Sequence, residues 1–258
     1  MMRRRASPRA HKEATEVLEE LQIRDVDELD VELIAAHYGA ITRYRPLQHE
    51  QGHIVRRGSN ALIVVDAQLE GQPRARWVVA HELGHFRLHA GADQYKACTT
   101  ADLSDYRSSG REPEANRFAA ELLMPVQLFA PDCDRNRPDL HDVRELADKY
   151  GTSLTATAIR LARFSPEPCA AVISSSSKVM YSSRSETWRY YLPNEHKLND
   201  SSYAGDIFAG KEPPERPQNV EASAWTTSNW AFEHDLREHS MALGMTGLVL
   251  TMLWAPEL

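Results

Sequence analysis

Two histidines four residues apart, in the stretch 76–89, constrain this chain more than any other feature of its sequence. The stretch reads RWVVAHELGHFRLH, and its apolar residues predict a largely buried helix. On a helix, His81 and His85 lie on one face, so both imidazoles can reach one divalent metal ion at about 2.0–2.1 Å. Glu82 points about 60° away from His85, at roughly 100° per residue. That position suits a general base better than a metal ligand.

The pattern H-E-x-x-H also occurs by chance in helices whose histidines are ordinary core or surface residues. Two observations favour the metal site here. Gly84 within a helix costs about 1 kcal/mol relative to alanine, which is explained if another segment must pack closely against it. A buried helix that carries two histidines and a carboxylate also requires polar partners for them.

The helix cannot provide a third ligand. His89 lies about 12 Å along the helix axis from His81, so the two cannot meet one ion together with His85. We therefore predict a supporting or structural role for His89. The third ligand must come from another part of the chain.

The stretch 112–125, EPEANRFAAELLMP, predicts a second helix with its proline in the first turn. Its alanines are small enough for close packing at Gly84, which would bring a carboxylate at the border of the buried stripe to the metal. We favour Glu114 as the third ligand, with Glu112 and Glu121 as fallbacks. For any one of them, an exposed helix carboxylate is the commoner outcome. The predicted buried stripe consists of Ala115, Phe118, Ala119 and Leu122.

Composition narrows the class of protein. The 258 residues are 42% hydrophobic and 26% charged, which is typical of a globular chain with a substantial core. The net charge of −7 argues against a main role in binding nucleic acid, because proteins with that role usually carry an excess of basic residues. Three widely spaced cysteines indicate free thiols in a reducing compartment: Cys98, Cys133 and Cys169.

No membrane segment is expected. The basic residues near the N-terminus are not followed by the apolar core of a signal peptide. The apolar stretch 241–254 is interrupted by polar residues and is shorter than the roughly 18 residues that suggest a membrane span. The predicted location is the cytoplasm.

Local patterns predict an α+β fold. Helices are expected near 8–21 and 31–38, with the metal helix opening at Gln72-Pro73 and ending at Gly91, followed by a polar loop over 92–111 across the mouth of the site. Short strands at 40–44, 53–57 and 61–65 predict a small, largely antiparallel sheet beside the metal helix.

The pairing of 79–85, VAHELGH, with 114–125, EANRFAAELLMP, resembles the ImmA/IrrE family of zinc-dependent metallopeptidases. The resemblance covers the N-terminal half. It implies a zincin-like domain with a gluzincin-like site, in which His81, His85 and Glu114 bind zinc and Glu82 is the catalytic base. Manganese remains an alternative metal. A metzincin would need glycine at position 88 and histidine at 91, where this chain has Leu88 and Gly91.

The resemblance also implies a substrate class. Members of this family typically act in bacteria on helix-turn-helix repressors and relieve repression of stress-response or mobile-element genes. The expected partner is therefore a repressor protein. The rival hypothesis is a regulator that binds DNA or protein and keeps the peptidase fold without its chemistry. Candidate residues to stabilise the oxyanion, each with a structural role as the commoner outcome, are His89, Tyr95, Tyr106 and Arg111.

Three parts are predicted along the chain: a zincin-like domain over 1–130, a helix-turn-helix-like segment over 131–167, and a mainly antiparallel, sensor-like α+β domain over 168–258. The second helix of the middle segment offers few polar residues, so packing is favoured over DNA reading. In the last part, strands are expected at 169–173, 178–182, 187–192, 220–226 and within 241–254, with a long connection over 193–217. Its aromatic residues could line a ligand pocket, although core positions are favoured: Trp188, Tyr190, Tyr191, Trp225 and Trp230.

Overall fold

The computed structural model describes residues 8–89, 95–98, 110–198, 200–227 and 234–256. By its internal contacts the chain divides into two compact units. Unit 1 comprises Met1–Phe129 and Lys149–Ser153, and unit 2 comprises Ala130–Asp148 and Leu154–Leu258. The three-part division expected from the sequence remains a prediction. No helix in the described part of the chain is long and apolar enough to cross a membrane.

Unit 1 begins with two helices whose ends follow from their sequence. The apolar face of the first is buried, through Ala14 and Val17 among others. Before the second, the Asp30 side chain accepts hydrogen bonds from the backbone N–H groups of Glu32 and Leu33, which caps the helix N-terminus. Gly39, with a φ of 83°, ends it. The two helices are α1 (Pro8–Glu20) and α2 (Val31–His37), and both were predicted.

A mixed four-stranded sheet follows, in the order β1-β3-β2-β4. β1 pairs in parallel with β3, whereas β2 is antiparallel to both β3 and β4. The first three strands confirm the expected ones. The fourth strand lies inside the segment 92–111, which was predicted as a loop. Its four residues are extended because they pair with β2, and the polar residues around them did not indicate a strand. The strands are β1 (Ala40–Arg45), β2 (Gly52–Arg57), β3 (Asn60–Asp66) and β4 (Tyr95–Cys98).

The central helix of unit 1 is α3 (Pro73–Leu88), which packs against this sheet and against α4 (Arg111–Leu123). Its last carbonyls have cationic partners from two other elements. Arg9 of α1 donates to the Leu88 carbonyl at 2.5 Å, and Arg56 of β2 donates to the Phe86 carbonyl. The helix ends at Leu88, earlier than expected, and Gly91 lies outside the described residues.

Three helices follow α4 in the chain: α5 (Val126–Asp132), α6 (Leu140–Tyr150) and α7 (Leu154–Phe164). The last two, with the turn at Gly151, confirm the predicted helix, turn and helix. α7 packs against two strands of unit 2, Cys169–Ser175 and Lys178–Arg184. Thr157 and Arg160, two of its few polar residues, are 0% and 4% exposed. The helix therefore packs and does not present these side chains to a ligand such as DNA.

Unit 2 contains an antiparallel five-stranded sheet in the order β6-β5-β9-β8-β7. A two-residue turn joins the two strands of the first hairpin, and both of its residues, Ser176 and Ser177, adopt positive φ. The helix α8 (Tyr203–Phe208) lies within the predicted long connection. The strands are β5 (Cys169–Ser175), β6 (Lys178–Arg184), β7 (Gln218–Glu221), β8 (Asp235–Ala242) and β9 (Leu248–Trp254).

The strand predicted at 187–192 was wrong. Its alternation correctly places Trp188, Tyr190 and Leu192 in the hydrophobic core of unit 2, but the segment has no ladder to a neighbouring strand. Alternating burial reports which side chains face the core and does not require strand pairing. The core positions expected for Trp188, Tyr190 and Trp225 are confirmed, Tyr191 is 53% exposed, and Trp230 lies outside the described residues.

Candidate metal centre

The helix α3 places the two histidines of the central motif side by side. Their Nε2 atoms are 3.0 Å apart, and the rings meet edge to face with centroids 4.6 Å apart. His81 is fully buried and His85 is 7% exposed. Two imidazoles whose ring nitrogens converge at this distance inside the protein are arranged as ligands of one ion.

Glu112, in the first turn of α4, brings its carboxylate to the same two nitrogens. One oxygen lies 3.1 Å from Nε2 of His81, and the other lies 3.2 Å from Nε2 of His85. Among the described residues, His81, His85 and Glu112 form a group whose donor atoms all lie within 4.8 Å of one another.

The donor set and its spacing fit a zinc ion. Two imidazole nitrogens and one carboxylate are a ligand set that zinc uses in catalytic sites. Ligand atoms bound to one tetrahedral ion lie roughly 3.3–3.6 Å apart. The contacts between Glu112 and the two histidines fall within a few tenths of an ångström of that separation. His81, His85 and Glu112 are thus the residues that could hold the metal.

Glu114, favoured as the third ligand by sequence, is placed elsewhere. Its carboxylate contacts Nε2 of His89 at 3.2 Å. Residues two apart on a helix point about 200° apart, so Glu112 and Glu114 cannot both face the histidine pair. Proline disfavours helical geometry in the residue before it, but α4 begins at Arg111 and therefore includes Glu112. Proline is tolerated in a first turn because its missing N–H would have no partner within the helix.

The other fallback, Glu121, also lies away from the histidine pair. Its carboxylate is 3.2 Å from Nδ1 of His11 on α1. Of the three carboxylates considered from sequence, only Glu112 belongs to the described metal-ligating group.

Asn116 was not singled out from the sequence. Its Oδ1 is 2.9 Å from Nδ1 of His81, and the residue is 1% exposed. An amide oxygen at this place accepts the Nδ1 proton, so the Nε2 lone pair of His81 faces the candidate metal position. The signal for it was available: Asn116 follows Glu112 by four residues and therefore shares its helix face.

The supporting role predicted for His89 agrees with its position. Its Nδ1 lies 3.0 Å from Nδ1 of His85, and its side chain is 6% exposed. Burial lowers the pKa of His89 below its ordinary value, against the opposing effect of the hydrogen bond with Glu114.

Glu82 and Gly84 both lie on the buried part of α3. Glu82 is 0% exposed. A Cβ atom at Gly84 would lie 3.2 Å from Cα of Ala115 and 3.1 Å from Cδ1 of Phe118. The close approach of α4 that the sequence predicted at this glycine is confirmed. That approach is what brings carboxylates of α4 to histidines of α3.

The candidates for oxyanion stabilisation are only partly described. The side chain of Tyr95 and the whole of Tyr106 lie outside the described residues. Arg111 begins α4, and its positive charge contributes to the lowered pKa of His89. No contact among the described residues assigns the role to either Arg111 or His89.

A second group of possible metal ligands occurs in unit 2, where Asp139, His141 and His239 converge. Local structure explains this group. Asp139 Oδ1 accepts the backbone N–H of His141 at 2.6 Å at the start of α6. Nδ1 of His239 accepts the backbone N–H of Leu140 at 3.2 Å. These side chains therefore accept hydrogen bonds from the backbone N–H groups at the N-terminus of α6. The group in unit 1 is the stronger candidate for a metal site.

Comparison with known proteins gives a family match that includes both helices of the candidate metal centre in unit 1. Residues 35–162 match the Peptidase M78 family model, described as the IrrE N-terminal-like domain. A solved structure described as a Mycobacterium tuberculosis transcriptional regulator is similar in fold, with a TM-score of 0.59 and 14% sequence identity. The similarity covers 96% of this chain and 88% of that one. No curated protein sequence matches significantly. The matched residues contain both helices of the metal centre, and the chain belongs to the ImmA/IrrE family that its motifs indicated.

Proposed function

We propose that this chain is a zinc-dependent endopeptidase that cleaves a transcriptional repressor of the helix-turn-helix type. The observation that carries the proposal is the convergence of His81, His85 and Glu112, with the fully buried Glu82 on the helix that carries both histidines. The match to a peptidase family supports the reaction class. The repressor is the substrate class that the family resemblance implies, and its cleavage would relieve repression of stress-response or mobile-element genes.

Each residue has a defined task in peptide hydrolysis. His81, His85 and Glu112 would hold zinc, which as a Lewis acid polarises a carbonyl group and lowers the pKa of water. Glu82 accepts a proton from the water that attacks the scissile carbonyl carbon. It then donates that proton to the departing amine nitrogen as the C–N bond breaks. Asn116 holds the His81 ring in the orientation that directs Nε2 toward the metal position.

Replacement of Glu82 by glutamine tests this function. Glutamine cannot act as a base, so cleavage should fall by about 10²–10⁴-fold while zinc content is unchanged. The assay uses zinc-loaded protein, a purified helix-turn-helix repressor encoded beside the gene, and a peptide library. The matched control is Glu70→Gln, which changes an exposed carboxylate just before α3. Undiminished cleavage by Glu82→Gln, or the absence of cleavage of either substrate by the unaltered protein, would overturn the proposal.

The alternative remains a regulator that binds DNA or protein without catalysis. The similar solved structure is described as a transcriptional regulator, but its low identity supports fold similarity alone. The net charge of −7 and the buried Thr157 and Arg160 of α7 weigh against direct DNA binding. We propose that the chain acts in the cytoplasm and that the sheet of unit 2 forms a sensor-like regulatory domain. Specific duplex binding at moderate salt, together with an uncleaved repressor, would favour the alternative.

A further inference from the structure

Behind the metal-facing nitrogen of His85, two more side chains continue a line of hydrogen bonds. Nδ1 of His85 is 3.0 Å from Nδ1 of His89, and Nε2 of His89 is 3.2 Å from the Glu114 carboxylate. We propose that His89 and Glu114 are positioning residues for His85, with Glu114 acting through His89. This inference rests on the proposed function, because it concerns a metal ligand of that same site.

The hydrogen bonds can run in only one direction if His85 binds metal through Nε2. A neutral imidazole has one donor and one acceptor nitrogen. With its Nε2 lone pair directed to the metal, His85 carries its proton on Nδ1 and donates to Nδ1 of His89. His89 then carries its proton on Nε2 and donates to Glu114. Every ring nitrogen in this chain of contacts has a role, and the tautomer of each histidine is determined.

The arrangement is built from two helices and is largely shielded from water. His85 lies in the last turn of α3 and His89 directly follows that helix, whereas Glu114 comes from α4. The His89 side chain is 6% exposed and that of Glu114 is 27% exposed. Hydrogen bonds to a charged acceptor are stronger than neutral ones, and shielding from solvent strengthens them further. The carboxylate therefore orients both rings and makes His85 a more basic ligand.

The two metal-facing histidines differ in their support. His81 donates directly to the neutral amide oxygen of Asn116. His85 is instead connected, through a second imidazole, to an anion. Removing the negative charge of Glu114 should consequently weaken metal binding through His85 without removing a ligand. That pattern separates a positioning residue from both a metal ligand and a residue that only stabilises the fold.

The first test measures zinc affinity of the full chain by competition with a chromophoric chelator. We expect Glu114→Ala and His89→Leu each to weaken zinc binding by about 10–100-fold, the range typical of residues that support metal ligands. Glu114→Gln keeps an acceptor for His89 but loses the charge, so its loss should be smaller than that of Glu114→Ala. The absorption spectrum of the Co²⁺-loaded protein should also change less in Glu114→Gln than in Glu114→Ala.

A double-variant cycle tests whether Glu114 acts through His89. If it does, Glu114→Ala combined with His89→Leu should bind zinc no more weakly than His89→Leu alone. The matched control is Glu13→Gln, which removes an ion pair with Arg87, located between the two histidines on α3. Its zinc affinity should stay within about twofold of the unaltered protein, because this half-buried pair lies outside the hydrogen bonds that connect His85, His89 and Glu114.

Three outcomes would overturn the inference: unchanged zinc affinity in Glu114→Ala, fully additive losses in the double variant, or complete loss of zinc from Glu114→Ala as expected for a ligand. These measurements need no substrate. A protein that follows the expected affinity series but cleaves neither the repressor nor the peptides would retain this inference and refute the proposed function. If the protein cleaves a substrate but the losses of zinc affinity are additive in the double variant, the proposed function stands and this inference is refuted.

Discussion

At the scale of single residues, the sequence pointed to His81 and His85, which the structure brings together, and favoured Glu114, whose carboxylate lies beside His89. The histidines belong to one helix, and a spacing of four residues determines their relative direction wherever that helix begins and ends. The carboxylate belongs to a different helix, and its direction depends on where α4 starts. A shift of two residues along α4 changes the direction of a side chain by about 200°. Asn116 becomes identifiable only once Glu112 is known.

The choice between the carboxylates can be tested by removing each one. We expect Glu112→Ala to weaken zinc binding by more than the about 10–100-fold that is typical of residues supporting a ligand. The reason is that a coordinating atom is lost. The matched control is Glu121→Ala, on the same helix, whose carboxylate contacts His11 instead. Equilibrium dialysis with zinc measures both, and normal zinc binding by Glu112→Ala would contradict our assignment.

At the scale of helices and strands, hydrophobic periodicity predicted most elements but not their pairing. α1, α2 and α4 were recognisable because each buries one regular face, and α3 because its central turns are apolar and buried all round. The strands β1 to β3 were recognisable from short β-branched or alternating segments. β4 and α8 were missed because they are short and lie in polar surroundings. The segment 187–192 has strand-like alternation because it covers the core of unit 2, where burial of every second side chain does not require a neighbouring strand.

The close packing of α3 on α4 at Gly84 makes a prediction at this scale. Gly84→Val should destabilise the protein by about 1–3 kcal/mol, because overpacking forces neighbours such as Phe118 and Ala115 to move. It should also weaken zinc binding, since the two helices contribute different ligands. Urea denaturation followed by circular dichroism measures the first effect, and chelator competition measures the second.

The control for this substitution is Ala36→Val, at an exposed position of α2. It introduces the same side chain into a helix but should cost only the few tenths of a kcal/mol that separate alanine from valine in helix propensity. Equal effects of the two substitutions on stability and zinc affinity would contradict a specific packing role for Gly84.

At the scale of the whole molecule, the sequence indicated mixed helix and strand with a sheet-rich C-terminal part, which the structure has. The strand order of each sheet was not predictable, because strands that pair directly, such as β5 and β9, are separated by long intervals of sequence. The boundaries between the two units were equally hidden. Lys149–Ser153 belongs to unit 1 although the helices on either side belong largely to unit 2.

Unit 2 also gives the protein a pH dependence that the metal centre does not explain. Glu238 is 1% exposed and accepts hydrogen bonds from the backbone N–H of Ala204 and from Nε1 of Trp225. Burial raises the pKa of Glu238 above its ordinary value, although these hydrogen bonds oppose the shift. The folded protein therefore binds more protons than the unfolded chain between the two pKa values. Its stability falls as the pH rises through that window.

Glu238→Gln removes this titration, so the stability of the variant relative to the unaltered protein should improve as the pH rises from about 4. Each unit by which the pKa is raised corresponds to about 1.4 kcal/mol. Melting temperatures measured across pH provide the comparison. The matched control is Glu195→Gln, which changes an exposed carboxylate paired with Lys178. A stability difference between Glu238→Gln and the unaltered protein that stays constant with pH would contradict the assignment.

The two described cysteine side chains of unit 2, Cys133 and Cys169, are buried free thiols. Burial raises the pKa of each to about 12. Alkylating and oxidising agents react with the thiolate, so both thiols should react slowly in the native protein at neutral pH. They become reactive only when unit 2 opens, so the fold itself protects the chain from oxidative damage at these two positions.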